Sequence, residues 1–160
     1  MHAFKYHRPA SVNDAAALVK GEAKLLAGGQ TLVQTMKLRL ASPSDIIDLG
    51  TIKDLTGIKS DGKTVTIGAM TRHAEVAHSA DVRKTIPALA ALAGMIGDRQ
   101  VRAMGTCGGS IANNDPAADY PAAVLALGAT VITNKRKLSA EDDRVTDRRR
   151  FGGRQMLGQS

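Results

Sequence analysis

The chain has 160 residues, 43% of them hydrophobic, enough to bury the core of one or two small domains. Two Phe, two Tyr and no Trp leave few stacking platforms for nucleic acid, and a single cysteine, Cys107, excludes an internal disulfide framework and a cysteine-only iron or zinc cluster. Of the net charge of +7, residues 143–160 supply +3 through five Arg against Asp143 and Asp147; the remaining +4 is spread along the body, which is only mildly basic, and no nucleic-acid partner is expected.

Met1 to Pro9 lacks the apolar core of a secretory signal, and the nearly apolar stretch Ala122 to Ile132 is too short to span a bilayer as a helix. A cytoplasmic chain without a transmembrane segment is expected. Ser11-Val12-Asn13-Asp14 predicts a capped helix running to Lys20, with Gly21 as its stop, and Lys24 to Ala27 predicts a strand. A glycine-rich loop, Ala27-Gly28-Gly29-Gln30-Thr31-Leu32, follows. Leu32, Val33 and Met36 then fall at helical spacing, with Thr31 as the expected cap. Asp45 to Leu49 reads as a strand closing a first α+β lobe at residues 1–53.

A second lobe, residues 54–142, opens with a hairpin: Leu55 to Lys59, the turn Asp61-Gly62, then Thr64 to Ile67. Gly57 to Thr64 matches the P-loop pattern G-x-x-x-x-G-K-[ST] letter for letter, but the strand-like alternation after it denies the helix a P-loop requires. Thr71 is expected to cap a helix through His78, and Ile86, Leu89, Ala90, Ala93 and Ile96 mark the apolar face of another, stopped by Gly97. A second glycine-rich loop, Thr106-Cys107-Gly108-Gly109-Ser110, precedes a predicted helix from Pro116 to Leu127 and a strand from Ala129 to Thr133. No internal repeat is present.

Adjacent glycines reach positive φ and bring backbone N–H groups close to a ligand, which suits an anionic diphosphate, and two such loops could grip one from both sides. Most Gly-Gly pairs are ordinary turns or helix caps, and that alternative stands beside the binding one. His73 has no ligand partner at helical spacing and reads as a helix-surface residue; Arg99 or Arg102 suits phosphate or a neighbouring subunit. Asp119 reads as a surface residue of a first helical turn and Asn113 as a turn residue. No nucleophile triad, H-E-x-x-H or catalytic carboxylate pair is present, so neither a catalytic side chain nor a metal ligand is assigned.

Leu26 to Leu32 with Met36 to Ala41, Ile67 to Thr71, Ile96 to Arg102, Gly105 to Asn113 and Asp115 to Pro121 occur in an order that resembles the FAD-binding medium subunit of molybdenum hydroxylases, the carbon monoxide dehydrogenase and xanthine dehydrogenase relatives. The resemblance runs over about residues 1 to 142. It implies an α+β, two-lobed FAD-binding fold of the PCMH, vanillyl-alcohol-oxidase-like type. By position in the family-like motifs, Ala27, Gly28, Gly29, Gln30, Thr31 and Leu32 would face the FAD pyrophosphate from one lobe and Thr106, Cys107, Gly108, Gly109 and Ser110 from the other. Asp119 matches a carboxylate near the flavin end. Cys107 departs from the aliphatic residue usual there and is expected to fill the same small volume.

The resemblance further implies a relay in which electrons leave a molybdenum-cofactor large subunit, cross a 2Fe-2S small subunit and reach an acceptor through FAD held on this chain. It fails from Arg144 onward, where an atypical basic tail, residues 143–160, replaces the family's further strands and C-terminal domain. A truncated or frameshifted coding sequence is the expectation, a naturally short subunit the alternative. A remnant that keeps the fold but holds FAD weakly or not at all is the second functional reading.

Overall fold

A computed structural model describes residues 1–115 and 117–141. The expectations for Pro116 and for the basic tail lie outside the described residues. In chain order the elements are β1 (Lys5–His7), α1 (Val12–Leu18), β2 (Lys24–Leu26), α2 (Leu32–Lys37), β3 (Asp45–Asp48), β4 (Ile58–Ser60), β5 (Val65–Ile67) and α3 (His73–His78). There follow α4 (Ala80–Thr85), α5 (Pro87–Met95), α6 (Arg99–Met104), α7 (Cys107–Asn113), α8 (Asp119–Ala126), β6 (Thr130–Ile132) and β7 (Lys137–Ser139). A single 3-10 turn at Lys53–Leu55 joins β3 to β4.

The first three strands form a parallel sheet in the order β1-β3-β2, with Tyr6 opposite Ile46 and Leu25 opposite Ile47. β3 is the middle strand because it is apolar on both faces: Ile46 and Ile47 are both buried, as a parallel strand covered on two sides requires. The crossover helix α1 starts where the Ser11 side chain accepts the Asp14 N–H at 3.1 Å. It packs Ala15 with Ala23, Ile47 and Ile52 into one core cluster. It stops two residues earlier than expected, at Leu18, and Gly21 takes a left-handed φ of +56° in the turn to β2.

β4 and β5 form the expected antiparallel hairpin. The amides of Lys63 and Thr64 donate to the Asp61 carboxylate at 2.9 and 2.6 Å, so the N–H groups a P-loop would turn toward phosphate are already bonded inside the turn. These bonds also hold the Asp61 carboxyl below the usual range.

The larger core lies among α3, α4, α5, α7 and α8. It gathers Val76, Val82, Leu89, Ala93, Cys107 and Tyr120, with the inner faces of β4 and β5 against it. Thr71 does not cap α3. Its buried hydroxyl exchanges hydrogen bonds with the Gly57 backbone, both at 3.0 Å, and pins the start of the helix to the hairpin. The first N–H is satisfied instead by Glu75, which accepts from the Arg72 amide at 2.8 Å. β6 and β7 close the described part as a second antiparallel pair, with Leu138 and Ala140 packed on Val124 of α8.

Candidate functional site

Two glycine motifs almost eighty residues apart in sequence meet at one place. A Cβ added at Gly28 would collide with the Met104 carbonyl oxygen and stand 2.8 Å from the Cα of Gly105. One added at Gly109 would lie 2.7 Å from the Thr106 hydroxyl and 3.3 Å from the Ala27 side chain. At Gly108 it would lie 2.5 Å from the Cβ and 2.7 Å from the backbone of Ala69. These glycines are required because three pieces of backbone approach closer than any side chain permits. Among Gly28, Gly29, Gly108 and Gly109, only Gly29, at φ +72°, uses the left-handed freedom expected for all four.

The second motif is a helix, which corrects the loop expected there. Thr106 is the N-cap of α7, its hydroxyl accepting from the Gly109 N–H at 3.1 Å, and Cys107 to Ser110 form the first turn. The sequence conceals this helix because Gly-Gly disfavours the conformation; the cap and the close packing override that preference. The Cys107 amide donates to Thr71 O at 2.9 Å, Gly108 to Ala69 O at 2.8 Å, and Ser110 to Thr106 O at 3.0 Å. All four amides from Cys107 to Ser110 are therefore engaged. Thr106 faces Arg72 across an isolated antiparallel bridge whose bonds are made by the flanking residues, His73 N–H to Gly105 O and Cys107 N–H to Thr71 O. That arrangement leaves Thr106 and Arg72 as the non-bonded pair.

The first motif is the opposite case. Among the described residues, none of the amides of Gly28, Gly29, Gln30, Thr31 and Leu32 donates to a protein acceptor. The first amide after them that does is Val33, to Gly29 O at 3.1 Å. Thr31 is exposed and helical, and its side chain makes no cap bond, contrary to expectation. Five consecutive N–H groups without a protein acceptor, at a turn with a left-handed glycine, are donors an anion can satisfy. Their partner surface is the bonded, rigid turn of α7.

The other flagged residues divide. Asp119 is exposed as the first residue of α8, with Ala118 as N-cap, and Asn113 is the exposed last residue of α7. Arg102 is committed within its own domain, donating to Ile96 O at 3.0 Å and Gly97 O at 2.9 Å at the end of α5. Arg99 is exposed. Cys107 is buried in apolar surroundings that push its thiol up to about 12, so it packs as a small hydrophobe and is inert as a nucleophile.

His73 is not a surface residue. It is 4% exposed and stacks on Tyr120 with ring centroids 5.3 Å apart and an interplanar angle of 29°. Sequence spacing missed it because position 73 begins a helix whose first residue turns into the core.

Two open concavities, of about 400 Å³ along α5 between Arg83 of α4 and Arg102 of α6 and of about 620 Å³ beside β1 and α1, include none of the glycine-motif residues. The amide-lined turn is a better candidate for a ligand than either, because it presents unsatisfied donors. Among the described residues no three His, Cys, Asp or Glu side chains converge as a metal site, and no helix is long and apolar enough to cross a membrane.

Residues 2–144 match the family described as the FAD binding domain in molybdopterin dehydrogenase. The carbon monoxide dehydrogenase medium chain of Hydrogenophaga pseudoflava is 46% identical over 132 residues, covering 81% of this chain and 46% of that one. The nicotine 6-hydroxylase medium subunit of Paenarthrobacter nicotinovorans is 39% identical over 146 residues, 88% of this chain and 52% of the relative. Among solved structures, a carbon monoxide dehydrogenase from Hydrogenophaga pseudoflava that lacks the Mo-pyranopterin moiety of its cofactor superposes with a TM-score of 0.83 at 43% identity. That match covers 86% of this chain and 50% of that one. The chain thus spans about half the length of the curated relatives it matches.

Proposed function

The chain belongs to the family of FAD-binding domains of molybdopterin dehydrogenases and has their α+β fold, and from that premise we propose that it holds FAD as the medium subunit of a molybdenum-dependent oxidoreductase. The observation that carries the reading is the run of unsatisfied amides from Gly28 to Leu32 backed by the α7 turn. A diphosphate satisfies such a run with its oxygens, and the missing Cβ at Gly28 lets the turn pack directly on the Met104–Gly105 backbone that backs it. The residues present fit the cofactor.

In this reading Gly28, Gly29, Gln30, Thr31 and Leu32 donate their amides to the pyrophosphate, and Ala27 and Gly109 form the contact that fixes the turn. The second motif serves as a wall: its amides from Cys107 to Ser110 are engaged, Thr106 is buried with its hydroxyl accepting from Gly109, and the half-buried Ser110 side chain is the group left to face the cofactor. Asp119, beyond α7, is assigned the flavin end of the site by its place in the family-like motif. Bound there, FAD would supply the electron-carrying chemistry that no side chain here offers. The chain's own part is to bind, orient and shield.

The wider reading is a complex: a molybdenum-cofactor large subunit, a 2Fe-2S small subunit, and this chain passing their electrons to an acceptor, in the cytoplasm. Its support is the name shared by several relatives, medium chain or medium subunit of a dehydrogenase or hydroxylase. Titration of the full chain with FAD tests the binding step. Flavin fluorescence should be quenched at saturation, ADP should compete through the shared diphosphate, and riboflavin should not. Riboflavin competing as well as ADP would place recognition on the ring and overturn the assignment of the Gly28 turn. Co-purification with the two partner subunits tests the complex.

A further inference from the structure

We propose that His73 and Tyr120 form a buried positioning column that sets the spacing between the two glycine motifs and so tunes FAD affinity without either side chain touching the cofactor. The inference rests on the FAD reading above. It stands on three contacts in series. Tyr120, 1% exposed on α8, stacks on the His73 ring at 5.3 Å between centroids. The Nε2–Cδ2 edge of the His73 ring lies against Gly105, so close that a Cβ there would stand 2.6 Å from Nε2 and 2.8 Å from Cδ2; the His73 amide also donates to Gly105 O at 2.9 Å. Gly105 is also the residue whose Cα a Gly28 methyl would meet at 2.8 Å. The ring and the Gly28 turn therefore both bear on the Gly105 backbone.

The polar atoms of the column make the argument sharper. His73 Nδ1 and the Tyr120 hydroxyl are buried with no partner of hydrogen-bonding geometry among the described residues; only the weakly bonding Cys107 thiol lies beside the hydroxyl. Unpaired buried polar groups subtract from stability, so the pair contributes less to the core than two apolar rings would. What the rings retain is shape: flat, stiff bodies that fill the gap between α8 and the Gly105 backbone without a branched Cβ to displace it.

The test compares His73→Ala, His73→Phe and Tyr120→Phe in the full chain, reading FAD affinity by flavin fluorescence and amide hydrogen exchange at Cys107 and Gly108. His73→Ala should weaken FAD by at least about tenfold, the scale on which supporting residues act on a bound group. It should also speed exchange at the Cys107 and Gly108 amides, which are bonded to the segment that carries His73. His73→Phe and Tyr120→Phe keep the rings and should bind within about threefold of the unaltered chain. A folded His73→Phe protein that loses FAD tenfold would show that the ring nitrogens act directly and would overturn the column, whether or not the alanine variant folds. Unchanged exchange in a folded His73→Ala protein would overturn it too, even if the unaltered chain bound no FAD, an outcome that sinks the FAD reading separately.

Discussion

Gly108 and Gly94 are both helical glycines, yet a methyl would have opposite effects on them. At Gly108 it would stand 2.5 Å from the Ala69 Cβ and 2.7 Å from its backbone; such overpacking costs about 1 to 3 kcal/mol, so Gly108→Ala should lower the melting temperature. Gly94 lies inside α5 with its nearest neighbour, the Ala77 Cβ, at 3.9 Å; there Ala should stabilise by about 0.5 to 1 kcal/mol through helix propensity and a less flexible unfolded chain. Thermal denaturation of the two variants checks both signs. The sequence announces each glycine equally. Which is a packing requirement depends on what crosses it, and Ala69 and Met104 lie far from their partners in the chain.

His73 gives stability a pH dependence at the same scale. Burial holds its imidazole below the ordinary 6.5. The unfolded chain therefore binds a proton between 6.5 and the lower folded value while the native chain does not. Stability is complete above about pH 6.5 and falls as pH drops through that window, because protonation then favours the unfolded state. His73→Phe should flatten this part of the stability profile; an unchanged acid-side slope in that variant would refute the assignment.

Among the elements, β2, β3 and the β4-β5 hairpin were readable because their signals are local, Ile46-Ile47 in a short apolar run and Asp61-Gly62 between alternating segments, whereas β1 and the parallel pairing of the three strands were not. The short helices α4 and α6 were not readable, since α4 buries only Val82 and α6 no residue, so neither shows an apolar stripe. The Asp98 side chain nonetheless caps α6 by accepting the Val101 N–H at 2.8 Å, as Thr106 caps α7. Thr106→Ala should cost about 1 kcal/mol and free the Gly109 amide, measurable as faster exchange there. The hairpin carries its own prediction: with the Lys63 and Thr64 amides bonded to Asp61, ATP should leave the amide signals of Gly57 to Thr64 unmoved. Shifts confined to that turn would revive the P-loop match.

For the whole molecule, the fold brings one turn with open amides against one turn whose amides are closed. Both motifs were legible as glycine pairs, and their convergence is what the chain order could not show. The asymmetry between them has two sources: Thr71 O and Ala69 O, distant in the chain, take the Cys107 and Gly108 amides, and the Thr106 cap takes those of Gly109 and Ser110. The proposed function puts the FAD diphosphate on the amides of Gly28 to Leu32. Two-dimensional amide NMR of the full chain during FAD titration tests it most directly. The largest shifts should fall on Gly28, Gly29, Gln30, Thr31 and Leu32, with ADP reproducing them and the bonded amides of Cys107 and Gly108 moving little. FAD that binds while those five amides stay in place, or that moves Cys107 and Gly108 most, would contradict the account.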